Sequence, residues 1–237
     1  MDLLIDVGNT RAKMAVAEGV RLKDIQPLSQ EAIGDAMERF AIGRVIASVV
    51  GPMPNFETLI PEELLCKLHL LSAQSPLPIR LEYVTPQTLG ADRIASVVGA
   101  RALYGDRALL VVDAGSCITL DYIDASGVYH GGAIMPGIGM KFKAMNTFTE
   151  KLPLLDNVCV TPNLVGGSTE ESMRSGVIRG TVFELEGFLR AYKDMNPSVR
   201  MILTGGDADQ LVSAMDEEVE VEQDLVWRGL CEILKNL

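Results

Sequence analysis

The sequence predicts an α/β protein made of two similar halves, each with a mixed β-sheet and flanking helices. An apolar stretch that ends in Asp-x-Gly and a small polar residue occurs twice, as LLIDVGNT at the start and as LLVVDAGS near the middle of the chain. Each copy continues into alternating residues and a turn that contains glycine, which is typical of a β-meander. Helical segments then alternate with short apolar segments, and this pattern indicates helices layered on a sheet.

The first half is predicted to begin with strands at residues 1–5 and 13–17. The elements predicted after this meander are, in order, a helix near 29–40, a strand at 44–49, a helix near 56–68, a strand at 81–84 and a helix near 89–102. Gly51, Pro52 and Pro54 mark the loop that precedes the second of these helices.

The second half is predicted to repeat this plan. Its predicted elements are strands at 108–112, 118–123 and 128–129, a helix near 169–195, a strand at 199–203 and a final helix near 225–235. The glycine-rich segment HGGAIMPGIGM, from His130 to Met140, is predicted to be a loop, either one that lines a ligand or an ordinary connection. We expect an N-terminal domain of residues 1–105 and a C-terminal domain of residues 106–237.

Composition narrows the classes of function. The 237 residues include 21 Lys and Arg against 32 Asp and Glu, and the net charge of −11 argues against a general nucleic-acid or anionic-membrane surface. No apolar run approaches the ~20 residues of a membrane-spanning helix. The four cysteines lie far apart without zinc-ligand spacing, so we expect free thiols and a cytoplasmic protein. With two histidines in the chain, acid–base chemistry is predicted to fall to a carboxylate.

The two Asp-x-Gly turns are candidates for binding the phosphates of a nucleotide. Asp6 at a strand end can hold a hydrated Mg²⁺, and Gly8 lets the backbone approach a phosphate without a Cβ clash. Asn9 and Thr10 can donate to phosphate oxygens, and Lys13 can neutralise charge. One copy alone is more simply an ordinary turn, but its recurrence favours the nucleotide site. The sequence contains neither a P-loop nor a Rossmann signature.

Two further segments carry possible chemistry. In YVTPQTLGADR, Asp92 and Arg93 stand at the start of a predicted helix, where Asp92 can take a proton from a substrate hydroxyl and Arg93 can bind an anion. The alternative is that Asp92 caps the helix and Arg93 is a solvated surface charge. LTGGDA, at residues 203–208, either lets an adenine or ribose lie against the backbone or is a simple strand-to-helix turn.

Taken in order, DVGNT, YVTPQTLGADR, DAGSCITLD, GGAIMPG, STEESMRSG and LTGGDA resemble the motifs of type III pantothenate kinase. That family is part of the superfamily of acetate and sugar kinases, actin and heat-shock chaperones, and the motifs extend from Asp6 to Ala208. The resemblance implies the duplicated ribonuclease H-like, actin-like fold. It also implies ATP-dependent phosphorylation of the 4′-hydroxyl of pantothenate, the first step of coenzyme A biosynthesis.

The resemblance also implies residue roles. The residues implied to bind ATP are Asp6, Val7, Gly8, Asn9, Thr10, Arg11, Ala12, Lys13 and Ser116. The residues implied to bind pantothenate are Tyr83, Gly90, Ala91, Asp92, Arg93 and Thr169. Asp92 would be the general base, Asp6 would hold Mg²⁺, and Asp113 would hold a monovalent cation, K⁺ or NH₄⁺. Thr169 would come from the neighbouring subunit of a homodimer.

The chain departs from the family pattern at two positions. Ser116 stands where the family usually has Thr, and Ser168-Thr169 where it usually has Asn-Thr. Serine keeps the hydroxyl at the first position, whereas at the second position Ser168 lacks the amide with which Asn can form hydrogen bonds. From the residues alone, Asp92 recognises only a hydroxyl and Arg93 only an anion. A kinase for another small molecule and a non-catalytic nucleotide-binding regulator therefore stay open as alternatives.

Overall fold

The computed structural model describes residues 1–157 and 160–237, and these residues divide into two units. The first unit comprises Met1–Gly105, Gly127–Tyr129 and Asp224–Leu237, and the second comprises the described residues of Asp106–Ser126 and His130–Gln223. In the described part of the chain, no helix combines the length and the apolar character that crossing a membrane requires.

The strands are, in chain order, β1 (Asp2–Val7), β2 (Ala12–Glu18), β3 (Arg21–Pro27), β4 (Arg44–Val49), β5 (Leu68–Leu70), β6 (Arg80–Leu81), β7 (Leu109–Ala114), β8 (Cys117–Ile123), β9 (Val128–Pro136), β10 (Arg200–Thr204) and β11 (Glu220–Val221). The helices are α1 (Gln30–Arg39), α2 (Phe56–Leu59), α3 (Glu62–Leu65), α4 (Ala91–Tyr104), α5 (Ile138–Thr147), α6 (Thr169–Arg174), α7 (Gly180–Met195), α8 (Ala208–Val212) and α9 (Leu225–Leu234). A turn of 3₁₀ helix spans Pro86–Thr88, and a π-helical segment, Ser175–Arg179, joins α6 to α7.

The first unit contains a sheet with the strand order β3-β2-β1-β4-β5. β1, β2 and β3 form the predicted antiparallel meander, and β1, β4 and β5 are parallel. The apolar run of β1 is buried because this strand is central in the sheet. Side chains of β1, including Leu3 and Ile5, form a core with Ile33 of α1, Phe56 of α2 and Leu64 of α3. α4, which begins at the predicted base segment, packs along α9.

In the second unit the strand order is β11-β10-β7-β8-β9. β7 runs antiparallel to β8 and parallel to β10, so a central apolar strand again ends beside a parallel neighbour. The core of this unit packs Leu110 and Val112 of β7 against Phe142 of α5, Ile178 of the π segment and Leu185 of α7. Both units thus have a mixed sheet with helices packed on it, and the predicted fold class is confirmed.

Four local predictions were wrong, wholly or in part. The helix near 56–68 is two short helices, because Pro61 lacks an N–H and disfavours helical geometry in the residue before it. The strand at 81–84 is reduced to β6, at 80–81. The helix near 169–195 is interrupted by the π segment. HGGAIMPGIGM is the end of β9 and the start of α5, and a Cβ on Gly132 would overlap the Leu120 carbonyl oxygen of β8.

The cysteines that the structure describes carry free thiols, as predicted. They are Cys66, Cys117 and Cys231. Burial raises the pKa of the Cys231 thiol to about 11, so this side chain is protonated at neutral pH. Cys159 lies outside the described residues.

Candidate active site

The carboxylate of Asp6 lies at the end of the central strand of the first unit. In the sheet its register partners are Lys13 on β2 and Ser48 on β4. The pKa of Asp6 is raised from 3.8 to about 6, chiefly by burial and then by the charge of Asp92, while the Ser48 hydroxyl and the charge of Lys13 act in the opposite direction. The fold therefore brings two predicted acidic residues, Asp6 and Asp92, within electrostatic range of each other although 86 positions of sequence separate them.

The turn after β1 is held by backbone hydrogen bonds from two directions. Within the turn, the Gly8 N–H donates to the Arg11 carbonyl oxygen at 2.9 Å. From the end of β4, the N–H groups of Val50 and Gly51 both donate to the Val7 carbonyl oxygen, at 2.9 and 3.0 Å. A Cβ on Gly51 would overlap the Gly8 carbonyl oxygen, so only glycine fits this close approach. The end of β4 thus fixes the backbone of the predicted phosphate loop.

The loop presents its polar side chains outward. Asn9, Thr10 and Arg11 are exposed, and Ala12 and Lys13 open β2, with the Lys13 side chain also exposed. This arrangement leaves a polar, partly cationic surface next to the buried Asp6 carboxylate. Such a surface suits a phosphate group because charged and polar donors stabilise its oxygens.

Asp92 lies in the first turn of α4, as the sequence predicts. Its Oδ1 accepts a hydrogen bond of 2.7 Å from the Arg93 N–H. Gly90, the N-cap residue, approaches so closely that a Cβ there would lie 2.5 Å from Asp92 Oδ1 and 3.5 Å from the Val50 side chain. Arg93 is 7% exposed, so the alternative in which it is a solvated surface charge is wrong.

A cavity of about 370 Å³ opens beside the start of α4. It is lined by Val49, Val50, Leu71, Ser72, Ala73, Gln74, Pro86, Gln87, Thr88, Leu89, Gly90 and Ala91. Its mixed apolar and polar lining is typical of small-molecule sites, and its residues Gly90 and Ala91 directly precede Asp92 in sequence. The ring of Tyr83 packs against the ring of Tyr129 at a centroid distance of 6.0 Å. This ring contact involves no substrate, so contact between Tyr83 and a substrate stays a prediction.

The second Asp-x-Gly turn has different neighbouring residues from the first. Asp113 pairs in register with Thr119 on β8 and Thr204 on β10. Gly205, in the predicted LTGGDA turn, has a φ of +94°, and a Cβ there would lie 2.5 Å from Asp113 Oδ1. The Asp207 N–H donates to the Ala114 carbonyl oxygen at 3.0 Å, so this turn packs directly on the end of β7.

Two serines occupy the positions where the chain departs from the family pattern. Ser116 is exposed, and its carbonyl oxygen accepts a hydrogen bond of 3.1 Å from the Gly137 N–H. Ser168 is the N-cap of α6, and its Oγ accepts a hydrogen bond of 3.2 Å from the Glu171 N–H. Asparagine is an equally good N-cap, so serine can replace it in this capping role. Thr169, the first residue of α6, is exposed.

Ser48, Val50 and Gly51 are site residues that the sequence analysis did not select. Ser48 lies near the end of β4 and the other two residues directly follow this strand, where a small polar residue and a glycine give no distinctive local signal. In the described parts of the chain, no group of three or more His, Cys, Asp or Glu residues could hold a metal ion. Asp6 Oδ1, however, is buried and has no hydrogen-bond partner among the described residues, which fits a carboxylate that binds a hydrated Mg²⁺.

Comparison with known proteins identifies similar chains. A family model for type III pantothenate kinase matches residues 2–191. The type III pantothenate kinase of Phocaeicola vulgatus is 38% identical over 237 residues, with 99% of this chain and 98% of that protein covered.

Solved structures give the same fold. A protein assigned to the Baf family of transcriptional activators, from Campylobacter jejuni, aligns with a TM-score of 0.60 at 24% identity, over 98% of this chain and 97% of that chain. A glucokinase from an Antarctic psychrotroph aligns with a TM-score of 0.52 at 13% identity, over 100% and 99% of the two chains. At these identities the two structures support the fold alone, which is the predicted actin-like one.

Proposed function

The chain belongs to the type III pantothenate kinase family, and we infer that it transfers the γ-phosphoryl group of ATP to the 4′-hydroxyl of pantothenate. The product is 4′-phosphopantothenate, and the reaction is the first step of coenzyme A biosynthesis. Within the structure, the observation that carries this function is the approach of Asp6 and Asp92 in one unit. Phosphoryl transfer needs a metal-binding group and a base near each other, because its catalysis is mainly positioning and electrostatic stabilisation.

We propose that Asp92 is the general base. It accepts the proton of the 4′-hydroxyl while the new oxygen–phosphorus bond forms and the bond to the departing ADP oxygen breaks. The hydrogen bond from the Arg93 N–H orients its carboxylate at the N-terminus of α4. A side chain at Gly90 would clash with the same carboxylate, so the glycine leaves room for it.

Pantothenate is a small hydroxylated carboxylate, and its proposed pocket includes Tyr83, Gly90, Ala91 and Arg93. The guanidinium of Arg93 can bind the substrate carboxylate as a planar fork. The cavity beside Gly90 and Ala91 supports this proposal, because it lies next to the base in sequence and has a small-molecule lining.

ATP is proposed to bind through the loop from Asp6 to Lys13 and through Ser116. The exposed Lys13 supplies positive charge, and Asp6 is the residue that would hold Mg²⁺. When bound, Mg²⁺ neutralises phosphate charge as the phosphoryl group moves. Asp113 is proposed to bind K⁺ or NH₄⁺, since its carboxylate is an oxygen donor of the kind that hard cations prefer.

We further propose that the protein is a cytoplasmic homodimer and that Thr169 contacts the substrate of the neighbouring subunit. Large apolar side chains are exposed on the second unit near this residue in sequence, among them Phe148, which is 84% exposed, and Val165, which is 80% exposed. Leu164 is exposed as well. Exposed apolar groups of this size are typical of protein–protein contact surfaces.

The decisive experiment measures ADP release by the purified protein with ATP, Mg²⁺ and K⁺, in the presence and absence of pantothenate. We expect ADP release that depends on pantothenate and that falls strongly when Na⁺ replaces K⁺ or NH₄⁺. A panel of other small hydroxylated acids and sugars serves as the control. Faster turnover of another acceptor would contradict the pantothenate assignment, and nucleotide binding without any turnover would indicate the non-catalytic regulator instead.

A further inference from the structure

Ser48 is a buried polar residue next to the proposed metal-binding acid. It is 0% exposed, and it pairs in register with Asp6 across the parallel strands β1 and β4. Register partners in neighbouring strands have their side chains on the same face of the sheet. Among the described residues, neither Ser48 Oγ nor Asp6 Oδ1 has a hydrogen bond of good geometry. Two buried polar atoms of this kind on neighbouring strands need an explanation, because a buried polar atom without a partner is costly to the folded state.

The same pairing recurs in the second unit. There Thr204 of β10 is 3% exposed and pairs in register with Asp113 of β7, again across parallel strands. Each of the two strand-end aspartates thus has a buried hydroxyl residue on its parallel neighbour. The hydroxyl accompanies the aspartate in both halves, which links it to the aspartate rather than to the packing of one sheet.

We propose that Ser48 is a positioning residue for the metal site: its hydroxyl donates to the Asp6 carboxylate and holds it ready to bind the hydrated Mg²⁺ of the nucleotide. Asp6 has Lys13 on its other side, across β2, and an ammonium group there attracts the carboxylate toward solvent. A donor on β4 opposes this attraction. Groups that orient a metal ligand commonly change metal affinity by 10–100-fold when they are removed. The inference rests on the proposed function for the identity of the nucleotide.

The test compares three variants of the full-length protein. Ser48→Ala removes the hydroxyl, Ser48→Thr retains it, and Ser96→Ala is the matched control, because Ser96 is a buried serine of the same unit whose Oγ also lacks a partner among the described residues. The readout is binding of a non-hydrolysable ATP analogue, measured by calorimetry as Mg²⁺ is titrated. Thermal unfolding without nucleotide serves as a check on folding.

We expect Ser48→Ala to raise the Mg²⁺ concentration for half-maximal nucleotide binding by about 10-fold or more, and to leave binding in EDTA unchanged. Ser48→Thr should remain within about 3-fold of the wild type, which is under 0.7 kcal/mol by the relation of about 1.4 kcal/mol per factor of ten. Ser96→Ala should match the wild type. An unchanged Mg²⁺ dependence in Ser48→Ala, or an equal shift in Ser96→Ala, would overturn the inference. If the wild-type protein binds the Mg²⁺–nucleotide complex but does not phosphorylate pantothenate, the proposed function fails while this test of Ser48 stands.

Discussion

Two turns with the same sequence pattern, one in each unit, have different surroundings. In the first unit Asp6 is flanked in register by Lys13 and Ser48, and in the second unit Asp113 is flanked by Thr119 and Thr204. The parallel neighbour carries a hydroxyl in both. The antiparallel neighbour carries a cation in the first and a hydroxyl in the second, and the acid of the first turn also lies within electrostatic range of a second acid, Asp92.

We propose that this difference lets the duplicated turn serve two ligands. A carboxylate near a cation and another acid suits a site where phosphate, metal and proton must meet. A carboxylate flanked by hydroxyl groups and approached by Gly205 suits a site that supplies oxygen atoms to a cation. The strand ends provide the common framework, and the neighbouring side chains decide the chemistry. Substitutions in and around the two turns test this contrast.

The largest effect on turnover is expected at Asp92, the acid that lies within electrostatic range of the first turn. Asp92→Asn keeps the size of the side chain but removes the base, so turnover should fall by well over ~10²-fold. Binding of ATP should be nearly unchanged, because the proposed partner of Asp92 is the acceptor hydroxyl and not the nucleotide. Steady-state kinetics and calorimetric nucleotide binding measure the two quantities. Asp35→Asn, at an exposed acid on α1, is the control and should retain full activity.

A rate near that of the wild type in Asp92→Asn would remove Asp92 from the role of base. The two Asp-x-Gly turns would then differ only in their flanking residues, and the contrast between them would need another explanation. A loss of both turnover and nucleotide binding would instead indicate that Asp92 contributes mainly to ATP binding.

The next largest effect is expected on the stability of the protein when Asp6 is replaced. The pKa of Asp6 is about 6 in the folded protein and 3.8 in the absence of the fold, so its ionised form opposes folding above pH 6. This penalty disappears as the pH falls from about 6 to about 4, because the folded state then binds a proton that the unfolded state does not. At pH 8 and in EDTA, Asp6→Asn should therefore raise the free energy of unfolding by about 2–3 kcal/mol.

Urea denaturation at pH 8, 6 and 4.5 measures this free energy. The stability advantage of Asp6→Asn over the wild type should shrink as the pH falls, and Asp35→Asn serves as the control for the loss of an exposed acid. A constant difference between Asp6→Asn and the wild type at all three pH values would mean that packing, and not charge, is responsible. The substitution should also weaken Mg²⁺-dependent nucleotide binding, so its gain in stability is a cost in function.

A smaller loss of stability is expected when either of the two glycines that closely approach the turns is replaced. A Cβ on Gly51 would overlap the Gly8 carbonyl oxygen, and a Cβ on Gly205 would crowd Asp113 at a residue whose φ is +94°. Gly51→Ala and Gly205→Ala should each cost about 1–3 kcal/mol of stability. Gly34→Ala is the control, because nothing lies within 4 Å of a Cβ at that helical position. It should stabilise the protein by about 0.5–1 kcal/mol.

The two glycine variants should differ in function. Gly51→Ala should raise the KM for ATP, because the displaced backbone belongs to the phosphate loop, and Gly205→Ala should raise the K⁺ concentration needed for half-maximal activity. Denaturation curves give the stability, and initial rates at varied ATP and K⁺ give the functional split. The same kinetic change in both variants would show that the turns do not serve separate ligands.

Local patterns in the sequence were sufficient to predict both strand-end aspartates. An apolar run followed by Asp-x-Gly predicts a buried strand that ends in a turn, and Asp6 and Asp113 indeed lie near the ends of β1 and β7. The role of Ser48 could not be predicted, because it depends on the parallel pairing of β1 with β4 across about 40 residues of chain. Single-sequence patterns carry no information on such long-range register.

The prediction of a loop in the glycine-rich segment was wrong because tertiary contacts decide its structure. Gly132 belongs to a strand because its neighbour on β8 leaves no room for a side chain, and not because the segment is a loop. The burial of Arg93 was likewise not predictable, since a charged residue at a helix start is usually solvated. In both cases the contacts that the folded chain makes, and not the local sequence, decide the structure.

The smallest effect is expected at Ser116, where the second turn departs from the family pattern. Ser116→Thr restores the usual residue and adds one methyl group to an exposed side chain. The hydroxyl that would contact ATP is retained, and the backbone hydrogen bond from Gly137 to the Ser116 carbonyl is independent of the side chain. The KM for ATP should therefore change by less than about 2-fold, or about 0.4 kcal/mol. Ser116→Ala, which removes the hydroxyl, should raise the KM by several-fold, and equal values for the Thr and Ala variants would exclude Ser116 from ATP binding.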